Sequence, residues 1–316
     1  MPRDFAEVQW DAALEDDCRQ LVRLAVREDL DRTLDWTSAA LVPRDAPGCA
    51  AVVARRAGVI AGLPAAKLVL EEMDERVAWA PLVDDGARVV PGTRVAMIRG
   101  PAQSLLTAER PLLNFLGHLS GVATLTRRYV DAIAGTKAAV YDTRKTTPGW
   151  RRLEKYAVRM GGGRNHRTGL FDAILIKDNH LALGAAPAGQ GGAAARPYSP
   201  AEAVGIAKRF LAGLPATSPH AGMIVEVEVD TLTQFADAVS SGADIVLLDN
   251  MSLDDLRFAV AQRSELRPQL QLEASGGVTL STIRAIAETG VDRISVGALT
   301  HSAEWFDVGL DWEASD

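Results

Sequence analysis

Cysteine is scarce in this chain, with two in 316 residues, Cys18 and Cys49. Neither stands in a metal-like spacing, so no zinc ribbon or disulfide framework is expected. Both are read as reduced and buried, as in a cytoplasmic protein. Histidine is also sparse, at five, and no HxxxH pair occurs, which argues against a zinc enzyme. Long apolar runs are missing; none reaches the roughly 18 residues that suggest a membrane span. The opening MPRDFAEVQW has no cationic region followed by an apolar one, so it does not read as a signal peptide. Excess positive charge is lacking as well: the net charge of −7 disfavours nucleic acid or an anionic membrane as partner. What is present is 47% hydrophobic residues, enough for a full core in one large domain or two ordinary ones.

Two patterns divide the chain. Residues 1–115 read as an α+β sandwich unit. An amphipathic helix is expected over 12–30, a strand pair around Gly58, and a helix entered near Pro64. Hairpin breaks fall at Asp85-Gly86 and Pro91-Gly92. A long helical stretch follows, with Leu105, Leu112, Leu116, Leu119 and Leu125 facing a core; Pro111 and Gly117 are expected to divide it in two. Arg110, beside that break, reads from the residues alone as a solvated helix-end arginine. Residues 116–316 then carry short apolar strands, AAVYD, AILIKD, MIVEVEV, DIVLLD, LQLEAS and RISVG, several separated by single helices. Such runs suit a buried parallel sheet. Their polar or glycine ends, Asp142, Lys177, Glu228, Asp249, Ser275 and Gly297, favour an α/β barrel over an open sheet, because all strand ends of a barrel converge on one face. Six strands rather than eight predict an incomplete barrel of about six to seven. The Ala/Gly/Pro-rich stretch 183–200 reads as a flexible surface insertion.

The chemistry concentrates in Tyr141 to His180, where nine Lys or Arg stand against four acids in an otherwise acidic chain. These cations lie among Gly and Thr turns that lead into a strand, which suits a pocket for a small polyanion. Arg144 and Arg167 fit bidentate carboxylate recognition, and His166 is a candidate donor beside them. Lys177 reads as an electrostatic clamp in preference to a Schiff-base nucleophile. Arg151, Arg152, Lys155 and Arg159 read as a mostly solvated helix face. Glu226 and Glu228, two apart on a strand, share a face and need cations or a metal ion. For Glu226, the deeper one, an internal salt bridge to Lys145 or Lys177 is a credible reading. Asp249 is a third acid at the level of Glu228; such carboxylates hold Mg²⁺ through water or accept from ribose hydroxyls. Ser275-Gly276-Gly277 before a helix expected at Thr279, and Gly297 before the next, suit a phosphate.

The block DTRKTTPGWRRLEKYAVRMGGGRNHRTGLFDAILIKDNH resembles the signature of the quinolinate phosphoribosyltransferases, and EVEV, LLDN, EASGG and ISVGALTHSA continue the likeness in order. The resemblance implies an α+β open-faced sandwich plus an incomplete α/β barrel, working as a dimer or an assembly of dimers. It implies a pentosyltransferase joining quinolinate to phosphoribosyl pyrophosphate, giving nicotinate mononucleotide, pyrophosphate and CO₂ for NAD synthesis, with Mg²⁺. By motif, Arg144, His166, Arg167 and Lys177 would hold the quinolinate carboxylates, joined by Arg110 of a neighbouring subunit. Lys145, Glu228 and Asp249 would surround the ribose and pyrophosphate. Ser275, Gly276, Gly277 and Gly297 would take the 5′-phosphate. The alternatives are a sister transferase for nicotinate-type pyridines and a non-catalytic nucleotide-binding homologue.

Overall fold

The computed structural model describes residues 3–186 and 196–313. The chain divides into two compact units. One comprises Met1–Ala6, Tyr129–Arg144 and Arg164–Ala298; the other comprises Glu7–Arg128, Lys145–Gly163 and Leu299–Asp316.

The first unit is built on the six expected apolar runs. Ala139–Tyr141, Ala173–Ile176, Ile224–Val229, Ile245–Asp249, Gln271–Ser275 and Arg293–Ser295 form a parallel sheet among the described residues. The Ala139 strand pairs with the Arg293 strand, and the sheet then runs back through the Gln271, Ile245 and Ile224 strands to the Ala173 strand. Parallel neighbours need a crossover. It is supplied by helices such as Pro200–Ala212, Leu232–Val239 and Leu253–Leu266. Each starts at a hydroxyl cap, Ser199, Thr231 or Ser252, whose side-chain oxygen accepts a first-turn N–H. The sheet is curled. The Ala173 and Arg293 strands are four places apart, which in a flat sheet is about 19 Å. Yet the ring of Phe5 packs with Ala173, Ile224 and Ile245 and lies 4.8 Å from the Arg293 guanidinium. The result is the incomplete α/β barrel. Half of the expected flexible insertion, residues 187–195, lies outside the described residues; beside it Ala185–Ala186 pairs with Arg196–Pro197.

The second unit carries a four-stranded antiparallel sheet in the order Val308–Trp312, Pro47–Ala54, Arg94–Pro101, Ala78–Pro81. The two strands flanking Gly58 are not each other's neighbours, as the sequence reading had them: Pro47–Ala54 joins this sheet, while Gly58–Val59 pairs with Arg88–Val89. Gly86 and Gly92 carry φ of 90° and 84°, the left-handed turn geometry that their dipeptides signalled.

Three further expectations are corrected here. Ala102–Ala132 is one helix with Pro111 inside it. An interior proline costs about 3 kcal/mol, but Leu105, Leu112, Leu116 and Leu119 are all at most 1% exposed, and each buried leucine contributes about 1.5–3 kcal/mol. Gly117 and Gly121 are not breaks. They admit the returning chain, since a Cβ on Gly121 would stand 2.2 Å from the Glu304 carbonyl oxygen. Second, the cationic helix Arg151–Met160 is not a solvated face: Leu153 to Val158 are all buried, Lys155 completely. Arg152 pairs with Asp17 and Arg159 with Glu7, and the buried Glu154 meets His118 Nε2 at 2.8 Å. Third, both cysteines are free, but only Cys18 is buried, which pushes its thiol up to about 12; Cys49 is half-buried.

Candidate active site

The carboxyl ends of the barrel strands gather one set of groups. Glu228 precedes the last residue of its strand, and Lys177 follows the neighbouring strand; the register Val227↔Ile176 sets their side chains on the same side. The Lys177 ammonium donates to the Glu228 carboxylate. Burial raises the Glu228 pKa, opposed by Lys177 and reinforced by the negative charges of Asp249 and Asp178. Asp249 ends the next strand and is paired in register with Ser275. Asn250 ties the two together: its amide nitrogen donates to the Asp249 carboxylate at 2.6 Å, and its backbone N–H donates to the Ser275 carbonyl at 2.9 Å. Gly276 must be glycine. Its φ is +94°, and a Cβ would lie 2.1 Å from Asn250 Oδ1. Gly277 follows with φ +57°, and Gly297 lies just past Arg293–Ser295. The helices expected after these glycines are corrected: Ile283–Ala287 begins four residues beyond Thr279, and Ala298–His301 is a single turn. The turn therefore offers close-approaching backbone rather than a helix dipole.

A cationic pair faces the same interior. Arg167 is 6% exposed, and its Nη1 donates to the Ala173 carbonyl at 3.2 Å. Burial lowers its pKa, and the Arg144 guanidinium lowers it further. The carboxylates of Glu226 and Asp172 act in the opposite sense. The loop that presents Arg167 is drawn into shape by Asp172, which accepts from the Thr168 and Gly169 N–H groups at 2.6 and 3.2 Å.

Below these groups lies a charged floor. Glu226 is 0% exposed. Its partner is not a lysine, as the sequence reading held, because Lys177 is taken by Glu228 one layer higher. Instead His166 Nε2 lies 3.0 Å from Glu226 and 3.4 Å from Glu273, also 0% exposed. Arg293 Nε donates to Glu273 at 2.8 Å, and its guanidinium stacks 3.7 Å over the Tyr141 ring. Burial and the facing Glu226 push Glu273 above the usual carboxylate range. Burial works against the charge of Glu226 too, but His166 and Arg293 hold its pKa below the usual range. Glu273, Arg293, Asp4 and Phe5 were missed in the sequence. The signal was available: Gln271-Glu273-Ser275 and Arg293-Ser295-Gly297 continue the inward alternation of the strands whose ends alone had been weighed.

Two predicted residues lie in the other unit. Arg110 is exposed on Ala102–Ala132. Lys145 is exposed as well, and its carbonyl accepts from the Thr300 hydroxyl at 2.7 Å.

Known proteins match this chain along its length. Residues 35–120 match the quinolinate phosphoribosyl transferase N-terminal domain, and residues 122–195 and 199–311 match the C-terminal domain of the same family. A nicotinate-nucleotide pyrophosphorylase [carboxylating] of Mycobacterium leprae is 43% identical over 97% of this chain and 99% of its own. A probable nicotinate-nucleotide pyrophosphorylase [carboxylating] of Bacillus subtilis is 39% identical over 83% of this chain and 82% of its own. The solved nicotinate-nucleotide pyrophosphorylase of Francisella tularensis superposes with a TM-score of 0.85 at 36% identity, covering 98% of this chain and all of that one. The chain belongs to the quinolinate phosphoribosyl transferase family.

Proposed function

We infer that the chain transfers the phosphoribosyl group of phosphoribosyl pyrophosphate to quinolinate and releases pyrophosphate and CO₂, forming nicotinate mononucleotide for NAD synthesis. The observation that carries this reading is the gathering in one barrel of the buried Arg167, the Lys177–Glu228 ion pair, Asp249 and the Gly276 turn. A pyridine dicarboxylate presents two carboxylates suited to guanidinium forks.

Arg144, Arg167 and Lys177 hold the quinolinate carboxylates. The backbone of Ser275, Gly276, Gly277 and Gly297 takes the 5′-phosphate of the cosubstrate. Glu228 and Asp249 face the ribose, and Lys145 is assigned with them to the pyrophosphate end by the family signature. As the C1–oxygen bond to pyrophosphate breaks, positive charge develops on the sugar; the two carboxylates stabilise it while ammonium groups stabilise the departing phosphates. Loss of the adjacent carboxylate then leaves electrons on the ring carbon, delocalised toward the positive ring nitrogen, so the substrate provides its own electron sink.

Glu228 and Asp249 are hard oxygen donors near enough for one charge to act on the other, which suits a magnesium ion. Glu228 and Asp249 would hold it through water, and it would neutralise pyrophosphate charge. The chain works as a dimer, with the exposed Arg110 serving the quinolinate site of the second copy. An equimolar mixture of Arg110→Ala and Lys177→Ala chains, each inactive alone, then regains activity; a mixture as inactive as its parts overturns the shared site.

The direct test is Arg167→Ala in an assay with quinolinate, phosphoribosyl pyrophosphate and Mg²⁺. A lost charge-assisted pair is worth about 1.5–3 kcal/mol, so KM for quinolinate rises roughly 10- to 150-fold while KM for the cosubstrate holds. Equal use of nicotinate, with no effect of the substitution, would point to a monocarboxylate site instead.

A further inference from the structure

The Arg167 guanidinium is placed by a chain of contacts that begins at the other end of the sequence. The Arg167 N–H donates to His166 Nδ1 at 2.8 Å. An imidazole nitrogen that accepts carries no proton, so the ring proton is on Nε2, which faces Glu226 at 3.0 Å. Both ring nitrogens are therefore engaged by protein groups, and His166 is 6% exposed. The backbone beneath the ring is fixed too: the His166 N–H and the Asn165 amide donate to the two oxygens of Asp142 at 2.8 and 2.7 Å.

One face of the imidazole remains to be held, and Phe5 holds it. The two ring centroids are 4.4 Å apart, with planes inclined by 32°. Phe5 is seated among Ala173, Ile224 and Ile245, at the starts of three barrel strands. Its segment is latched by Asp4. One Asp4 oxygen accepts from Arg293 Nη1 at 2.7 Å and from the Phe5 N–H at 2.9 Å. The other accepts from the Tyr141 hydroxyl at 2.7 Å and from Arg164 Nη1 at 3.2 Å. Four directional contacts from the barrel onto a two-residue segment exceed what filling a cavity with one apolar ring requires.

We propose that Asp4 and Phe5 are positioning residues of the quinolinate site: Phe5 seats the His166 ring, and the ring's Nδ1 seats the backbone that aims Arg167. The proposal rests on the assignment of Arg167 to a quinolinate carboxylate. His166 accordingly acts through Arg167 and not by its own contact with substrate.

Steady-state kinetics on the full chain test it, with KM measured for both substrates and a melting curve for each variant. Phe5→Leu keeps an apolar plug but removes the flat face. KM for quinolinate rises about tenfold, because small displacements of a binding group are amplified at the reacting centre. KM for phosphoribosyl pyrophosphate stays within about twofold. Asp4→Asn keeps the shape of the latch and weakens it, shifting KM for quinolinate in the same direction by about threefold. That variant carries the test should Phe5→Leu fail to fold. A third comparison separates positioning from contact. In His166→Asn the side-chain oxygen stands near the place of Nδ1 and accepts the Arg167 N–H, so quinolinate affinity falls at least several-fold less than in His166→Ala; equal losses overturn the proposal. A lowered melting temperature with both KM values unchanged, or both KM values raised alike, overturns it also. Arg167→Ala is run alongside. No rise in its KM for quinolinate shows that the underlying assignment has failed. A rise there, with none in Phe5→Leu and Asp4→Asn, sinks the positioning role alone.

Discussion

Arg293→Met removes the one guanidinium on which the barrel floor converges. Arg293 is fully buried, as is its partner Glu273. Its Nε donates to Glu273 at 2.8 Å and its Nη1 to Asp4 at 2.7 Å, and the guanidinium lies between the rings of Tyr141 and Phe5. Methionine keeps much of the volume but leaves Glu273 facing Glu226 without its cation. Breaking a buried pair from one side costs about 3–5 kcal/mol. At about 2–4 °C per kcal/mol for a unit of this size, the melting temperature falls by roughly 6–20 °C at pH 8. The pH dependence has a definite sign. Burial and Glu226 already raise the folded-state pKa of Glu273 above its unfolded value near 4.3. A group raised in the folded state binds its proton preferentially there, so the stability it confers when protonated is lost as pH rises through the folded value. Without Arg293 that value rises further, so the penalty is largest at pH 8 and smaller near pH 5. Adding Glu273→Gln to Arg293→Met removes the orphaned charge and recovers several degrees at pH 8. Scanning calorimetry of the single and double variants at both pH values measures this. A single variant melting within about 2 °C of the parent at pH 8, or strict additivity of the two substitutions, would refute the reasoning.

The role proposed for Glu228 needs its carboxylate, and burial together with Asp249 raises its pKa; activity is therefore expected to fall on the acid side at a pH above the ordinary glutamate range near 4.3. In the residual activity of Asp249→Asn that acidic limb of kcat/KM for phosphoribosyl pyrophosphate moves to lower pH, and an unmoved limb assigns it to another group. Gly276→Ala places a Cβ 2.1 Å from Asn250 Oδ1 at a φ of +94°. It raises KM for phosphoribosyl pyrophosphate at least tenfold with little change in KM for quinolinate, measured on folded protein; equal effects on both would remove the turn from phosphate binding.

The six barrel strands were legible because buried strands are rich in Val, Ile and Leu, and because nearly every run closes on a polar residue or glycine. Glu226 and Glu228 were placed on one face by period alone. Their partners were not legible. Lys177 and His166 both precede them by fewer than 65 residues, and nothing local says that the lysine stands one layer above the histidine. That distinction comes from the register Glu226↔Leu175 and Val227↔Ile176, a property of pairing between strands. Lys155 was misjudged for a related reason. A helix with Leu153 to Val158 all buried shows no solvent face over that span, and a charge inside it follows no amphipathic rule. Pro111 shows the converse: a strong local breaker was overridden by the leucines of the helix around it. The most instructive omission is Arg293. Strand ends were weighed because barrels place their chemistry there, and strand starts were not weighed. Yet Arg293 is the first residue of its strand and points inward, as do Glu273 and Glu226 in theirs. Three strands carry inward positions reading Arg-Ser-Gly, Gln-Glu-Ser and Ile-Glu-Glu, while Ala173, Ile224 and Ile245 form an apolar seat at their strand starts, so the floor must be closed by something that offers both a charge and an apolar face. Asp4-Phe5 is a dipeptide of that kind, and the unbalanced inward charges were the reason to look for one.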